Sequence, residues 1–277
     1  MKILNRRNAL KLLGATAGFG LTTPALARDA NQGVGQERRK FVLIHGAWHN
    51  ASAWDGVAQL LRLSGHLVET PTLPGMNPGE SRVGIQFSDY VDALVEPLRY
   101  EKRRIVLVGH SSAGMLIQAA APRIAGVLDM VVFSNAFVVG DGQSQLDNIP
   151  PDAAAGLTAL SQTTDDGTVP VEPLEGFFRG ALMEGDSTAA QDALLSILQP
   201  QPFSLLSGVV DTKPFDKLSV DKGVLFCVRD HSADYPGMAA RLRDYRVVTA
   251  EGSHEMLFAN PARYTKALLK LVSNDRC

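Results

Sequence analysis

Apolar residues fall along this chain in two alternating rhythms. Phe41-Val42-Leu43-Ile44 is an unbroken apolar run with β-branched members, the pattern of a strand covered on both faces. Trp54, Val57, Leu60 and Leu61 then recur at helical spacing, and His66–Glu69 predicts a second strand. Phe87–Tyr100 is amphipathic, with Tyr90, Val91, Leu94, Val95 and Leu98 on its apolar side. The alternation continues with a buried strand at Ile105–Val108, a helix opening over Met115–Pro122 and a strand at Met130–Phe133. After a gap it resumes with a strand at Val224–Val228, a helix near Met238–Leu242, a strand at Val247–Val248 and a closing helix over Ala262–Val272. Strands alternating with helices imply βαβ units, hence an α/β fold whose parallel sheet carries helices on both faces.

Residues 140–215 break that rhythm. Pro150-Pro151, Gly156, Pro170, Pro173, Pro200 and Pro202 act as breakers around a polar patch, Ser161–Thr168. Between them lie short helical patches at Leu174–Met183 and Ala189–Leu198, the second with Ser187 as its N-cap. So little continuous apolar sequence predicts a helical insertion that caps a site rather than a second domain.

The first residues follow another logic. Lys2, Arg6 and Arg7 make a basic start, Leu10–Leu21 is mostly apolar, and Ala25-Leu26-Ala27 is a small-x-small cleavage site. Residues 1–27 are therefore expected to be an export signal, with residues 28–277 as the mature domain. The paired arginines in Asn5–Lys11 resemble the twin-arginine signal, an ordinary secretory signal being the alternative. The apolar stretch is interrupted by glycines and shorter than the ~20 residues that span a bilayer, so no membrane anchor is expected after cleavage. Cleavage would remove four basic residues and no acid, taking the net charge from −2 to −6. An acidic balance offers no electrostatic basis for binding nucleic acid. Two cysteines make no disulfide framework, no metal-binding spacing is present, and no cofactor is implied.

The chemistry concentrates in three places. Val106–Met115 (V-L-V-G-H-S-S-A-G-M) runs from a strand through a serine into a helix start, the context of a nucleophile elbow. Read from Ser111 the G-x-S-x-G spelling has Gly109 but ends in Ala113; read from Ser112 it has Gly114 but begins with His110. Ser111 is preferred, because the strand ends at Gly109 and Gly114 suits close helix–sheet packing. His45-Gly46-Ala47 follows the first strand, where the Ala47 N–H would join that of Ser112 in an oxyanion hole. Glu251–Met256 sets His254 on a loop before the last helix. The acid must lie between serine and histidine, after a strand; Asp230 fits, Asp234 is the rival, and His231 is a competing base. His45 and His110 are expected to brace turns, whereas nothing marks out His49 or His66.

With these motifs in hand, the chain resembles the compact α/β-hydrolases of the plant methylesterase and hydroxynitrile lyase type. The resemblance rests on F-V-L-I-H-G-A-W-H, G-H-S-x-x-G-M, the V-R-D loop and the G-S-H-E-M loop. It covers nearly all of residues 40–272 and implies a six-stranded, mainly parallel sheet. The lyases of that family carry a threonine where Gly46 stands and a lysine after the catalytic histidine, where this chain has Glu255. A glutamate would repel a leaving cyanide, so the esterase branch fits better.

The expectation is a serine carboxylesterase acting on a small, apolar ester or lactone, with Ser111, Asp230 and His254 as the triad. His45, Phe177, Phe178 and Leu182 are candidate substrate contacts, the three insertion residues equally well explained as that segment's own core. A cofactor-free dioxygenase or lyase using the His–Asp pair as base is the alternative, and a ligand-binding receptor a more remote one. The protein is expected in the periplasm or outside the cell; its oligomeric state is not legible from the residues.

Overall fold

Strand β1 (Lys40–Ile44) is buried at every residue because it lies inside a sheet with helices on each side. The computed structural model of the protein describes residues 38–273; the expected export signal and Cys277 lie outside them. The sheet has six strands in the order β2-β1-β3-β4-β7-β8, namely β2 (Leu67–Glu69), β3 (Ile105–Ser111), β4 (Leu128–Ala136), β7 (Asp221–Cys227) and β8 (Tyr245–Ala250) around β1. Every neighbouring pair is parallel, so all six carboxyl ends point to one edge.

Parallel strands covered on both faces need side chains for two cores, and strand alternation supplies them. Phe41, Leu43, Val106, Val108 and Leu225 pack on one face with α1 (Asp55–Leu63) and the closing helix Pro261–Val272, through Trp54, Val57, Tyr264 and Leu268. Val42, Ile44, Leu107, Val131 and Phe133 pack on the other with α2 (Phe87–Leu98) and α3 (Ala113–Ala120). Trp54 stands at the seam between core and site, its ring edge-on to Tyr264 at 5.4 Å and to His110 at 6.2 Å.

The segment between β4 and β7 is more regular than its prolines predict. Pro150-Pro151 does not break the chain but opens a helix, α4 (Pro151–Ser161), with proline in the first turn, where a missing N–H costs nothing. The Leu174–Met183 patch is a chain of tight turns ending in one wide π-type turn, Phe178–Leu182. The helix over Thr188–Leu195 has Ser187 as its cap, the hydroxyl accepting from the Ala190 N–H at 3.2 Å. Two short strands, β5 (Thr168–Val169) and β6 (Gln201–Pro202), pair antiparallel in this segment. They are pinned to the loop after β1, because Trp48 N–H donates to Gln201 Oε1 at 2.9 Å and Trp48 Nε1 donates to Val169 O at 3.1 Å. Among the described residues no helix is long and apolar enough to cross a membrane.

Candidate active site

Strand β3 turns into α3 within two residues, and the turn is centred on Ser111. Its φ of 55° is one that side chains beyond glycine rarely adopt, a strain that surrounding packing must hold. Two glycines make the room. A Cβ on Gly46 would sit 2.7 Å from Ser111 Cβ, and one on Gly114 would sit 2.3 Å from the Phe137 carbonyl oxygen. Ala113, where the usual motif has glycine, is fully buried at the helix start. Ser111 is half-buried and faces a cavity, whereas Ser112 is buried with helical backbone angles.

His254 lines the same cavity, and behind it stands a carboxylate. His254 Nδ1 donates to Asp230 Oδ2 at 2.6 Å, and both side chains are almost wholly buried. Asp230 is held from every side. Its Oδ1 accepts from Ser232 N at 3.0 Å and Ser232 Oγ at 2.6 Å, and Oδ2 also accepts from Asn135 Nδ2. Asn135, itself at a positive φ of 41°, is fixed by accepting from the Cys227 N–H at 2.7 Å. Burial alone would raise the Asp230 pKa, but the facing His254 and these hydrogen bonds hold it well below the ordinary carboxylate range. The rival Asp234 instead caps the helix Tyr235–Ala239, accepting from the Gly237 N–H at 2.9 Å, and His231 is exposed. Tyr235 stacks on His254 with centroids 5.7 Å apart, and its hydroxyl reaches Ser232 Oγ at 3.3 Å and the Ser111 side chain.

The other histidines divide by their hydrogen bonds. His45 Nδ1 donates to Gly46 O at 2.9 Å while Nε2 accepts from the Leu73 N–H at 3.0 Å. His110 Nε2 donates to the His254 carbonyl at 3.1 Å. Burial pushes both down to about 3, so both are neutral braces. His49 has a larger part than its sequence context indicates, since it lines the cavity and its Nε2 lies 3.2 Å from Glu255 Oε2. One donor atom from each of His110, His254 and Glu255 lies within 4.8 Å of the others; His110 donates to the His254 carbonyl, His254 to Asp230, and Glu255 faces His49.

The cavity holds about 290 Å³. Its floor is Ser111, His254, Glu255, Tyr235 and the loop Ala47–His49, and its roof comes from the segment between β4 and β7. One side of α4 supplies Ala153, Gly156, Leu157 and Leu160, joined by Leu174, Phe177 and Leu182. That helix face is legible as positions 153, 157 and 160, once Pro151 is taken as a start rather than a stop. Two expected contacts need correction. Phe178 points away, fully buried with its ring edge-on to Trp48 at 5.6 Å, and His45 is turned into the Leu73 loop; neither lines the cavity. Roof and floor are stitched together at one edge. Arg229, beside Asp230, binds Glu184 O and Asp186, while Ser253, beside His254, donates to the same Asp186. The Glu255 N–H donates to Leu182 O at 3.3 Å.

Residues 41–267 match the model of the alpha/beta hydrolase family. The chain belongs to that family. This hydrolase is 30% identical over 176 residues to a carbendazim hydrolyzing esterase of a Nocardioides species, a match spanning 62% of this chain and 64% of that protein. It is 25% identical over 264 residues to methylesterase 2 of Arabidopsis thaliana, covering 87% of this chain and 99% of the other. Among solved structures, an extracellular alpha/beta-hydrolase from a Paenibacillus species superposes with a TM-score of 0.79 at 26% identity. That superposition covers 84% of this chain and 98% of the other, which is described as sharing structural and functional homology with tobacco salicylic acid binding protein 2.

Proposed function

We propose that this hydrolase is a serine carboxylesterase acting on a small, apolar ester or lactone through an acyl-enzyme. The observation that carries the reading is the Asp230–His254 pair and the strained Ser111 facing one cavity whose roof is apolar. Ser111 Oγ attacks the ester carbonyl carbon and its proton passes to His254 Nε2; the alcohol then leaves with that proton. Water repeats the sequence on the acyl-enzyme, releasing the acid and restoring Ser111. Asp230 fixes the tautomer of His254 through Nδ1 and balances the imidazolium. The amides of Ala47 and Ser112 hold the oxyanion; the neighbouring Trp48 amide is committed to Gln201 and takes no part. The segment between β4 and β7 acts as the cap, its apolar side chains receiving the acyl or alcohol group. The esterases among its relatives support this reading, as does Glu255 at a place unsuited to a leaving anion. We further propose export on the twin-arginine signal in residues 1–27, a reading supported by the extracellular Paenibacillus relative.

The test is labelling with a fluorophosphonate followed by peptide mapping. Modification of Ser111 is the expected result, and modification of Ser112 would move the elbow by one residue. A folded protein left unmodified would overturn the serine mechanism and favour an oxygenase or lyase using the His–Asp base.

A further inference from the structure

Glu255 is a carboxylate with no access to solvent, placed directly after His254 in the chain, and the triad does not use it. Its Oε1 lies 4.0 Å from His254 Nε2, the edge of the ring opposite Asp230, and its Oε2 lies 3.2 Å from His49 Nε2. His49 Nδ1 is 2.7 Å from the Ala47 carbonyl. Both nitrogens of that ring therefore face acceptors, and a neutral imidazole can donate through only one. The arrangement is balanced in charge when His49 is an imidazolium and Glu255 a carboxylate, a buried ion pair at 3.2 Å carrying no net charge. A buried carboxylate without such a partner would give up its charge.

We propose that Glu255, with His49 as its counterion, is a positioning residue for His254: a second carboxylate that stabilises the proton His254 carries on Nε2 during turnover. The inference rests on the triad reading above. Asp230 acts on His254 through Nδ1 and Glu255 from the Nε2 side, so the imidazolium formed as Ser111 attacks lies between two negative charges. His49 keeps the second of these ionised although it is buried. The other groups facing His254 add no charge. His110 is a neutral ring at 4.5 Å, Tyr235 is a neutral phenol stacked at 5.7 Å, and the Asp186–Arg229 ion pair stands behind the loop. The directions of titration agree. Burial would push Glu255 up, yet His49 brings it down to about 2; burial would push His49 and His254 down, yet their carboxylates raise both.

The test reads His254 without needing turnover. In a Ser111→Ala background, the imidazole proton resonances of His254 are titrated by NMR with Glu255 intact and in Glu255→Gln. The expected result is a midpoint at lower pH once the carboxylate is gone. In active protein, the acid limb of kcat/KM should move the same way and kcat should fall about tenfold. His49→Gln, which takes away the counterion that keeps Glu255 ionised, is expected to move the midpoint to lower pH as well, so that variants at either end of the ion pair shift the same proton in the same direction. This second variant decides the matter should Glu255→Gln not fold. An unchanged midpoint in either folded variant would overturn the proposal. Full ester turnover by Ser111→Ala would overturn the serine reading instead, and the two failures are told apart because the titration is made without turnover.

Discussion

The floor and the roof of the cavity are built on opposite principles. On the floor, the proposed acid–base pair is held by directed bonds: Asp230 accepts from Ser232, Asn135 and His254, and His254 in turn is flanked by His110 and Tyr235. On the roof, α4 and the turns after β5 present side chains that touch the cavity only through methyl, methylene and ring carbons. Bonds of fixed length and angle can set a proton's path to a fraction of an ångström, whereas apolar contacts set only volume. Chemistry and shape are thus assigned to separate stretches of chain, and the roof can change what is accepted without disturbing how it reacts.

Substitutions should respect that division. Ser111→Ala is expected to lower kcat for ester hydrolysis by about 10,000-fold or more with an unchanged melting temperature, and Asp230→Asn to approach the same loss by releasing the tautomer of His254. Gly46→Ala comes next. Its methyl group has to displace Ser111, so a fall in kcat of about 100-fold is expected, read against circular dichroism showing the fold retained. The pH profile is a third check. His254 must be neutral to accept the Ser111 proton, and its partners raise its pKa despite burial. Activity should therefore be complete at alkaline pH and decline as pH falls, with the midpoint of kcat/KM above the ordinary imidazole value of about 6.5. The smallest effect belongs to the roof. Leu157→Ala or Phe177→Ala should change KM by a few-fold and shift the preferred ester size, leaving kcat on the best substrate nearly unaltered. A roof variant that instead abolished kcat on every ester would erase the distinction between the two regions.

The same division governs what can be read from the residues alone. Buried strands of Val, Ile and Leu announce a parallel sheet, and the turn after β3 is legible because it must place a serine between a strand end and a helix start. Asp230 and His254 follow strand ends in the order that the fold dictates. Asn135 is not legible, because its task depends on β4 lying beside β7, a pairing that no local pattern encodes. Nor is the His49–Glu255 pair, whose members lie far apart in the chain and meet only when β1 and β8 bring their loops to one edge. The roof is obscured for a different reason. Proline halts a helix in its interior but begins one at its first turn, and Pro150-Pro151 is ambiguous until the apolar face of α4 is matched to a cavity.

The stitching of Asp186 to Arg229 and Ser253 ties the roof to the two loops that carry Asp230 and His254. The loops bond to each other through the Val228 N–H to Ala250 O and the Arg229 N–H to Gly252 O, and the roof adds their outer anchor, so on heating their order depends in part on the roof staying docked. Catalytic competence should therefore be extinguished at a lower temperature than the sheet melts, in an intermediate that keeps its far-ultraviolet signature. Storage life of the enzyme would then be governed by the few polar contacts that dock the roof, this cluster together with the Trp48 bonds to Val169 and Gln201, rather than by the depth of its hydrophobic cores.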